Sequence, residues 1–390
     1  MTQPRPLPGP RGAEERLVIA VTRFAAAGSP LGSDQVAVML QTVSWRSLGE
    51  LLGRLHLVEL VGTALQELAA QALPAEFSDW IDRTRRATAH RATVHELMLS
   101  RVLAALSASG IPAAPIKGVV LAREAFGRTD LRASADLDLL LHDRDLGRAC
   151  AVLGELGWDP PADLVDTDGL PLHHFRLYAA KAPTVELHWR TQWYEREFDR
   201  AALDRAEPDS GALRLDRRDH LAMLLLGYAR DGFRGLRTAA DIAALARRLD
   251  ATGESLHDDR VPVTLRPAIS AASAAVEILL GVCPIVSTGP RADTQWRGRA
   301  ALALGDPLLQ LPGSSRWADP ALIDVLLAPS SQVGPALGRA LWPRLTAIPR
   351  RPGAGRVRAR LARPEHAARV LRGFALAQPR IARALPARRR

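Results

Sequence analysis

Asp136 and Asp138 stand two residues apart in the otherwise apolar run Asp136-Leu137-Asp138-Leu139-Leu140-Leu141. Side chains at i and i+2 of a strand share a face, so the spacing predicts two carboxylates side by side. Leu137, Leu139 and Leu141 then take the opposite, buried face. Adjacent carboxylates repel each other and lose hydration. A divalent cation offsets that cost, and hard oxygen ligands suit Mg²⁺, or Mn²⁺ in its place. The plainer alternative is a pair of solvated acids on an edge strand.

A second alternating run follows about fifty residues on. In Thr184-Val185-Glu186-Leu187-His188-Trp189-Arg190, Val185, Leu187 and Trp189 take one side, and Glu186 and His188 the other. Phe175 to Lys181 also suits a strand, and Ala182-Pro183 is short enough for a hairpin connection. A third acid on a strand beside Asp136 and Asp138 would complete a three-carboxylate site for two metal ions. Such a pair can activate an attacking hydroxyl and stabilise the leaving pyrophosphate oxygen. Otherwise Glu186 is an exposed hairpin charge, and His188 reads equally well as a structural imidazole.

Of the 52 basic residues, only Lys117 and Lys181 are lysines. Lys117 directly precedes Gly118, between the short strand expected at 112–116 and a helix expected at 119–126 and ended by Gly127. Such a strand-to-helix turn offers free backbone amides and the positive end of a helix dipole to a phosphate. Lys117 adds a mobile point charge. Without the acids, the same pattern is a tight-turn glycine beside a solvated lysine.

Taken together, Lys117-Gly118, an arginine (Arg132) shortly before Asp136-Leu137-Asp138-Leu139-Leu140, a helix, and then Glu186-Leu187-His188-Trp189 resemble a known family. It is the uncharacterised bacterial nucleotidyltransferases of the DNA polymerase β-like superfamily. Leu236 to Ile242 is similar to that family's downstream helical signature, and the resemblance covers residues 35–250. It implies metal ligation by Asp136, Asp138 and Glu186, with Lys117, Gly118 and Arg132 facing the nucleotide phosphates. It also implies an NTP donor, ATP first among them, and Mg²⁺ or Mn²⁺ as the metal. The wider superfamily's Gly-Ser turn before the first acid is missing; Lys117-Gly118 stands in that role, eighteen residues ahead of Asp136. Metal binding is therefore the firmer expectation and triphosphate binding the weaker.

Two other readings remain open at this stage. A metal-dependent nuclease would place an acid before a Glu-x-Lys pair, but His188 stands where the lysine belongs, and Lys181 lies upstream of Leu187. A catalytically silent nucleotide-binding or antitoxin-like partner protein is favoured by the missing Gly-Ser turn.

The elements that must position these residues follow from the rest of the chain. Its 390 residues, 47% hydrophobic and 24% charged, suit a globular protein with a sizeable core. The fold class expected is α+β: a small mixed β-sheet core at 111–210, between a helical region at 13–110 and another at 211–334. Residues 1–12 read as a disordered, Pro-rich start, and 335–390 as an Arg/Pro-rich basic tail. That tail holds 15 arginines and one acid, Glu365, so the net charge of +10 belongs to it and the remainder is mildly acidic. It could contact an acidic partner, but Trp342 and Phe374 are its only aromatics, which gives no base-stacking platform.

Cys150 and Cys283 make neither a disulfide framework nor a zinc quartet, and Cys150 falls on a core stripe with Leu146, Leu153 and Leu156. His90, His95 and Glu96 lack zinc-protease spacing and read as solvated. No stretch reaches membrane-spanning length, so a cytoplasmic protein is the default expectation. Helices are expected at 14–27, 34–73, 76–109, 216–226, 238–249, 266–280 and 362–377, with Asp34 as an N-cap and Arg237–Asp241 as a surface ion pair.

Overall fold

The computed structural model describes residues 12–159, 173–192, 195, 197–209, 211–286, 298–299, 301–302 and 333–342, with isolated positions between 325 and 375. The expected start at 1–12, except Gly12, and most of the basic tail lie outside the described residues; within the expected 362–377 helix, the described positions Pro364, Ala367, Ala368, Val370, Leu371, Arg372 and Ala375 are helical.

A four-stranded mixed sheet is the centre of the fold. Its strands are β1 (Ala113–Ile116), β2 (Asp136–Leu141), β3 (His174–Leu177) and β4 (Thr184–His188), in the order β1-β2-β4-β3. β2 and β4 run parallel; β1 and β3 are antiparallel to their neighbours. Helices make up the surroundings, so the α+β expectation holds. Preceding the sheet are α1 (Ala13–Ala27), α2 (Ser33–Leu40), α3 (Trp45–Leu55), α4 (Val58–Ala69) and the long α5 (Ala75–Ala108). Within the sheet segment lie α6 (Gly118–Phe126) and α7 (Leu146–Glu155); α8 (Glu197–Asp204) and a small hairpin of β5 (Glu207–Asp209) and β6 (Ala212–Arg214) follow. Then come α9 (Arg217–Arg230), α10 (Leu236–Ala251), α11 (Arg266–Leu280) and, after a gap in the description, α12 (Val333–Leu341).

Strand alternation decides what each sheet face buries. Leu137, Leu139 and Leu141 of β2 join Val185, Leu187, Phe175 and Leu177 in one core beneath α5 and α7. Leu140, Ala114 and Ile116 point the other way, into a larger core built from α1–α4, α6 and α9–α11. Asp136, Asp138, Glu186 and His188 lie on this second face, beyond its apolar end. One face of the sheet is therefore wholly core, and the other is half core and half polar site. α5 packs with the sheet, whereas α1–α4 share a core with α9–α11.

Several local expectations need correction. The stretch 34–73 is not one helix. α2 ends near Gln41; Ser44 then caps α3 by accepting from the Ser47 amide, and left-handed His56 (φ 53°) ends α3 before α4 begins. Ser33, not Asp34, opens α2, with Gly32 at the N-cap. β3 stops at Leu177, and the β3–β4 connection runs from Tyr178 to Pro183 rather than through Ala182-Pro183 alone. Leu156 is only partly buried, while Leu146, Cys150 and Leu153 are core as expected. His95 is buried on α5 because its helical position faces the sheet core; His90 is exposed. Among the described residues no helix is long and apolar enough to cross a membrane.

Candidate active site

Cross-strand register brings the acids together. Asp138 of β2 pairs with Glu186 of β4, and Glu186 in turn with Arg176 of β3. One step along, Leu140 pairs with His188, and His188 with His174. Paired residues share a face. Asp138, Glu186, Arg176, His188 and His174 therefore form a polar patch two rows deep, with Asp136 at its edge.

The patch is buried, and burial sets its electrostatics. Asp138, Glu186 and His188 are each about 4% exposed. His188 Nε2 lies 2.9 Å from Asp138 Oδ1 and 3.4 Å from Glu186 Oε2. Arg176 Nε donates to Glu186 Oε1 at 2.5 Å, and Lys117 Nζ to Asp138 Oδ1 at 3.0 Å. Burial alone would raise Asp138, but the Lys117 charge and the His188 hydrogen bond outweigh it and hold this carboxyl well below the usual range. Glu186 feels the same opposition: burial raises it, while the His188 hydrogen bond and the two histidines bring it down to about 2. Asp136 goes the other way. Burial raises its pKa, and the negative charges of Asp138 and Glu186 add to the rise. Three carboxylates here face two permanent cations, and the uncompensated charge shows at Asp136.

Lys117 and Gly118 sit on a strained turn. Lys117 has φ 55° and Gly118 φ 50°, two successive left-handed residues between β1 and α6. A non-glycine residue in such a conformation costs about 1–3 kcal/mol and persists only where its surroundings hold it. The Lys117 amide donates to His220 Nε2 at 3.3 Å, and His220 Nδ1 lies 2.6 Å from Glu124 Oε2. Glu124 sits on α6 and buried His220 on α9, so two helices grip the turn between them. Gly118 opens α6, whose first-turn amides lack intrahelical acceptors.

Arg132 is placed beside this turn but already has partners. Its Nη1 donates to the Gly118 carbonyl at 3.2 Å, and its Nε lies 3.0 Å from both oxygens of Asp241. Asp241 is 3% exposed, so the expected Arg237–Asp241 surface pair is not formed. The i,i+4 spacing on α10 is real, but that side of the helix is packed inward. Arg237 is instead half-buried and donates to the Ala133 carbonyl. Burial, foremost, and then the Arg132 charge lower its pKa to about 10.

Asp136, Asp138, Glu186, Lys117 and Gly118 thus converge on one side of the sheet, with Arg132 behind the turn. Sequence reasoning did not single out His174, His220, Glu124 or Arg176. His174, Glu186 and His188 carry ligand atoms all within 4.8 Å of one another, a grouping able to hold a metal ion. Arg176 and His174 could have been found by extending the alternation of Glu186 and His188 across to the neighbouring strand. His220 and Glu124 carry no such signal.

No curated protein matches the chain. A family model described as an uncharacterised nucleotidyltransferase matches residues 41–262, more than half of the chain. The match runs from just ahead of α3 to the segment preceding α11 and includes the whole sheet with its carboxylates and the Lys117-Gly118 turn. The chain belongs to this family of uncharacterised nucleotidyltransferases.

Proposed function

We propose that the chain moves an NMP group from an NTP, ATP being the first donor to test, to a hydroxyl or phosphate acceptor in a metal-dependent reaction. The observation that carries this reading is the pairing of Asp138 with Glu186 across parallel strands, with Asp136 alongside and Lys117 opposite. The donor set fits a hard divalent cation. It is rich in oxygen, buried, short of positive charge, and leaves Asp136 with a raised pKa that a cation would reverse. Asp136, Asp138 and Glu186 would hold Mg²⁺ or Mn²⁺, which when bound supplies Lewis-acid stabilisation of the phosphoryl oxygens.

The chain's own groups divide the remaining work. Glu186, held near 2 and engaged by Arg176, is a weak base, so its part is ligation. Lys117 Nζ, on a side chain 36% exposed, can turn from Asp138 toward the triphosphate. The α6 amides, Gly118 first, face the β- and γ-phosphates. Arg132 supports that surface from behind through the Gly118 carbonyl.

Mg²⁺-dependent pyrophosphate release, or transfer of label from an NTP in the presence of candidate acceptors, tests the reading. Wild type should turn over and Asp136→Asn should not. Equal turnover by both, with metal present, would overturn it. A silent nucleotide-binding protein is supported by one observation: Lys117–Asp138 and Arg132–Asp241 already satisfy each other. NTP binding without turnover across donors and acceptors selects that second reading.

A further inference from the structure

His174 occupies a costly position. It is pressed against His188, with ring centroids 4.8 Å apart, and its side chain is 24% exposed. Its Nδ1 is buried with no hydrogen-bond partner. Its Nε2 stops 3.7 Å from Glu186 Oε2, beyond hydrogen-bond reach. Among the described residues, then, neither nitrogen of this imidazole is hydrogen bonded. The unpaired Nδ1 costs roughly 1–3 kcal/mol, and it is the unpartnered Nε2, the atom facing Glu186, that is open to a ligand.

His188 presents the complementary oddity. One nitrogen, Nε2, faces two carboxylate oxygens at 2.9 and 3.4 Å. A single N–H serves only one of them well. The same oxygens and nitrogens would satisfy one another around a cation, because ligands bound at about 2.0–2.2 Å lie some 3–3.6 Å apart. The observed separations are 3.4 and 3.7 Å from Glu186 Oε2 to the two histidines. Arg176 occupies Glu186 Oε1 and leaves Oε2 for this side.

We propose that His174, His188 and Glu186 Oε2 form a mixed nitrogen–oxygen cation position beside the Asp136–Asp138 pair, and that it takes Mn²⁺, Co²⁺ or Zn²⁺ in preference to Mg²⁺. Imidazole suits these borderline ions, whereas Mg²⁺ favours oxygen and retains its water. The inference deepens the metal-dependent reading at Glu186, and only there does it rest on it. Its consequence is a site with two unlike positions: one of oxygen ligands at Asp136 and Asp138, the other rich in nitrogen at the histidines.

Co²⁺ is the probe, because its visible absorption reports ligand type and number. Titrating metal-free full-length protein should give a d–d spectrum at one equivalent. His174→Gln and His188→Asn should each weaken Co²⁺ binding by roughly 10–100-fold or more. Excess Mg²⁺ should not displace the ion, and Zn²⁺ should. Two variants at different strands guard against misfolding, and the thermal unfolding of each without metal checks it directly. In parallel, ATP binding with Mg²⁺ is measured for wild type and Asp136→Asn. If both histidine variants keep the wild-type Co²⁺ spectrum and affinity, the inference falls, even where Asp136→Asn abolishes ATP binding and so supports the nucleotidyl reading. If the histidine variants lose Co²⁺ while ATP never binds, the cation position stands and the nucleotidyl reading falls.

Discussion

Two clusters of charge, one at the start of α9 and one at the sheet, are balanced in opposite ways. At the start of α9, Asp216 and Asp219 meet three guanidinium groups. Arg205 and Arg260 each grip Asp219 through two nitrogens at 2.6–3.0 Å. Arg218 and Arg260 hold Asp216. At the sheet, the three carboxylates meet the permanent charges of Lys117 and Arg176 and the His188 imidazole. The first cluster carries positive charge to spare and ties α8, α9 and the segment before α11 together. The second is short of it, and Asp136 bears the deficit as a raised pKa. A structural cluster is completed by the chain itself, whereas a binding cluster is completed from outside.

The contrast is broken most severely by exchanging the treatment of the two clusters. Asp219→Ala should leave half-buried Arg260 and the more exposed Arg205 without their carboxylate and cost about 1–3 kcal/mol in urea denaturation. Asp136→Asn should leave stability unchanged or slightly raised, since it removes a repelled carboxylate, while turnover is lost. If Asp136→Asn proved the more destabilising of the two, the site would be structural and the comparison wrong.

A middle-sized effect concerns the Lys117-Gly118 turn, the phosphate side of the proposed site. Removing the His220 acceptor frees the Lys117 amide and lets about 1–3 kcal/mol of left-handed strain relax. His220→Ala should therefore raise the NTP KM roughly tenfold, with a smaller change in kcat. His220→Gln, whose side-chain oxygen can accept from the same amide, should recover most of the loss. Equal damage to kcat and KM in both variants would assign His220 to packing instead.

The smallest effect is on acid stability. Burial would raise Asp216, but hydrogen bonds from Arg218 and the Arg260 charge hold it at about 2 in the folded chain, against 3.8 for a free aspartate. A lowered folded pKa contributes stability that is present above 3.8 and lost as pH falls toward 2. Denaturation midpoints across that window should fall more steeply for wild type than for Asp216→Asn.

Much of this site could be read before the fold was known, for a physical reason. Strand alternation is local, so Asp136, Asp138 and Glu186 declare their common face through residues two apart. The lone lysine before Gly118 likewise marked the strand-to-helix turn, although its left-handed φ did not show. What escaped were contacts made by register and by helix docking. His174 meets His188 only because β3 pairs antiparallel with β4 at that offset. Arg132 and Asp241, 109 residues apart, meet only because α10 packs against α6, and that packing turned an expected surface pair inward. His95 misled in the same way, since α5 is long enough to leave the solvent and pass beneath the sheet.

The central claim is that the carboxylates at the sheet bind a nucleotide through a metal. Calorimetric titration of ATP into the full chain, with Mg²⁺ and with chelator, tests it most directly. The account predicts saturable binding that requires the metal and disappears in Asp136→Asn plus Asp138→Asn. Binding that is unchanged in that double variant would contradict it.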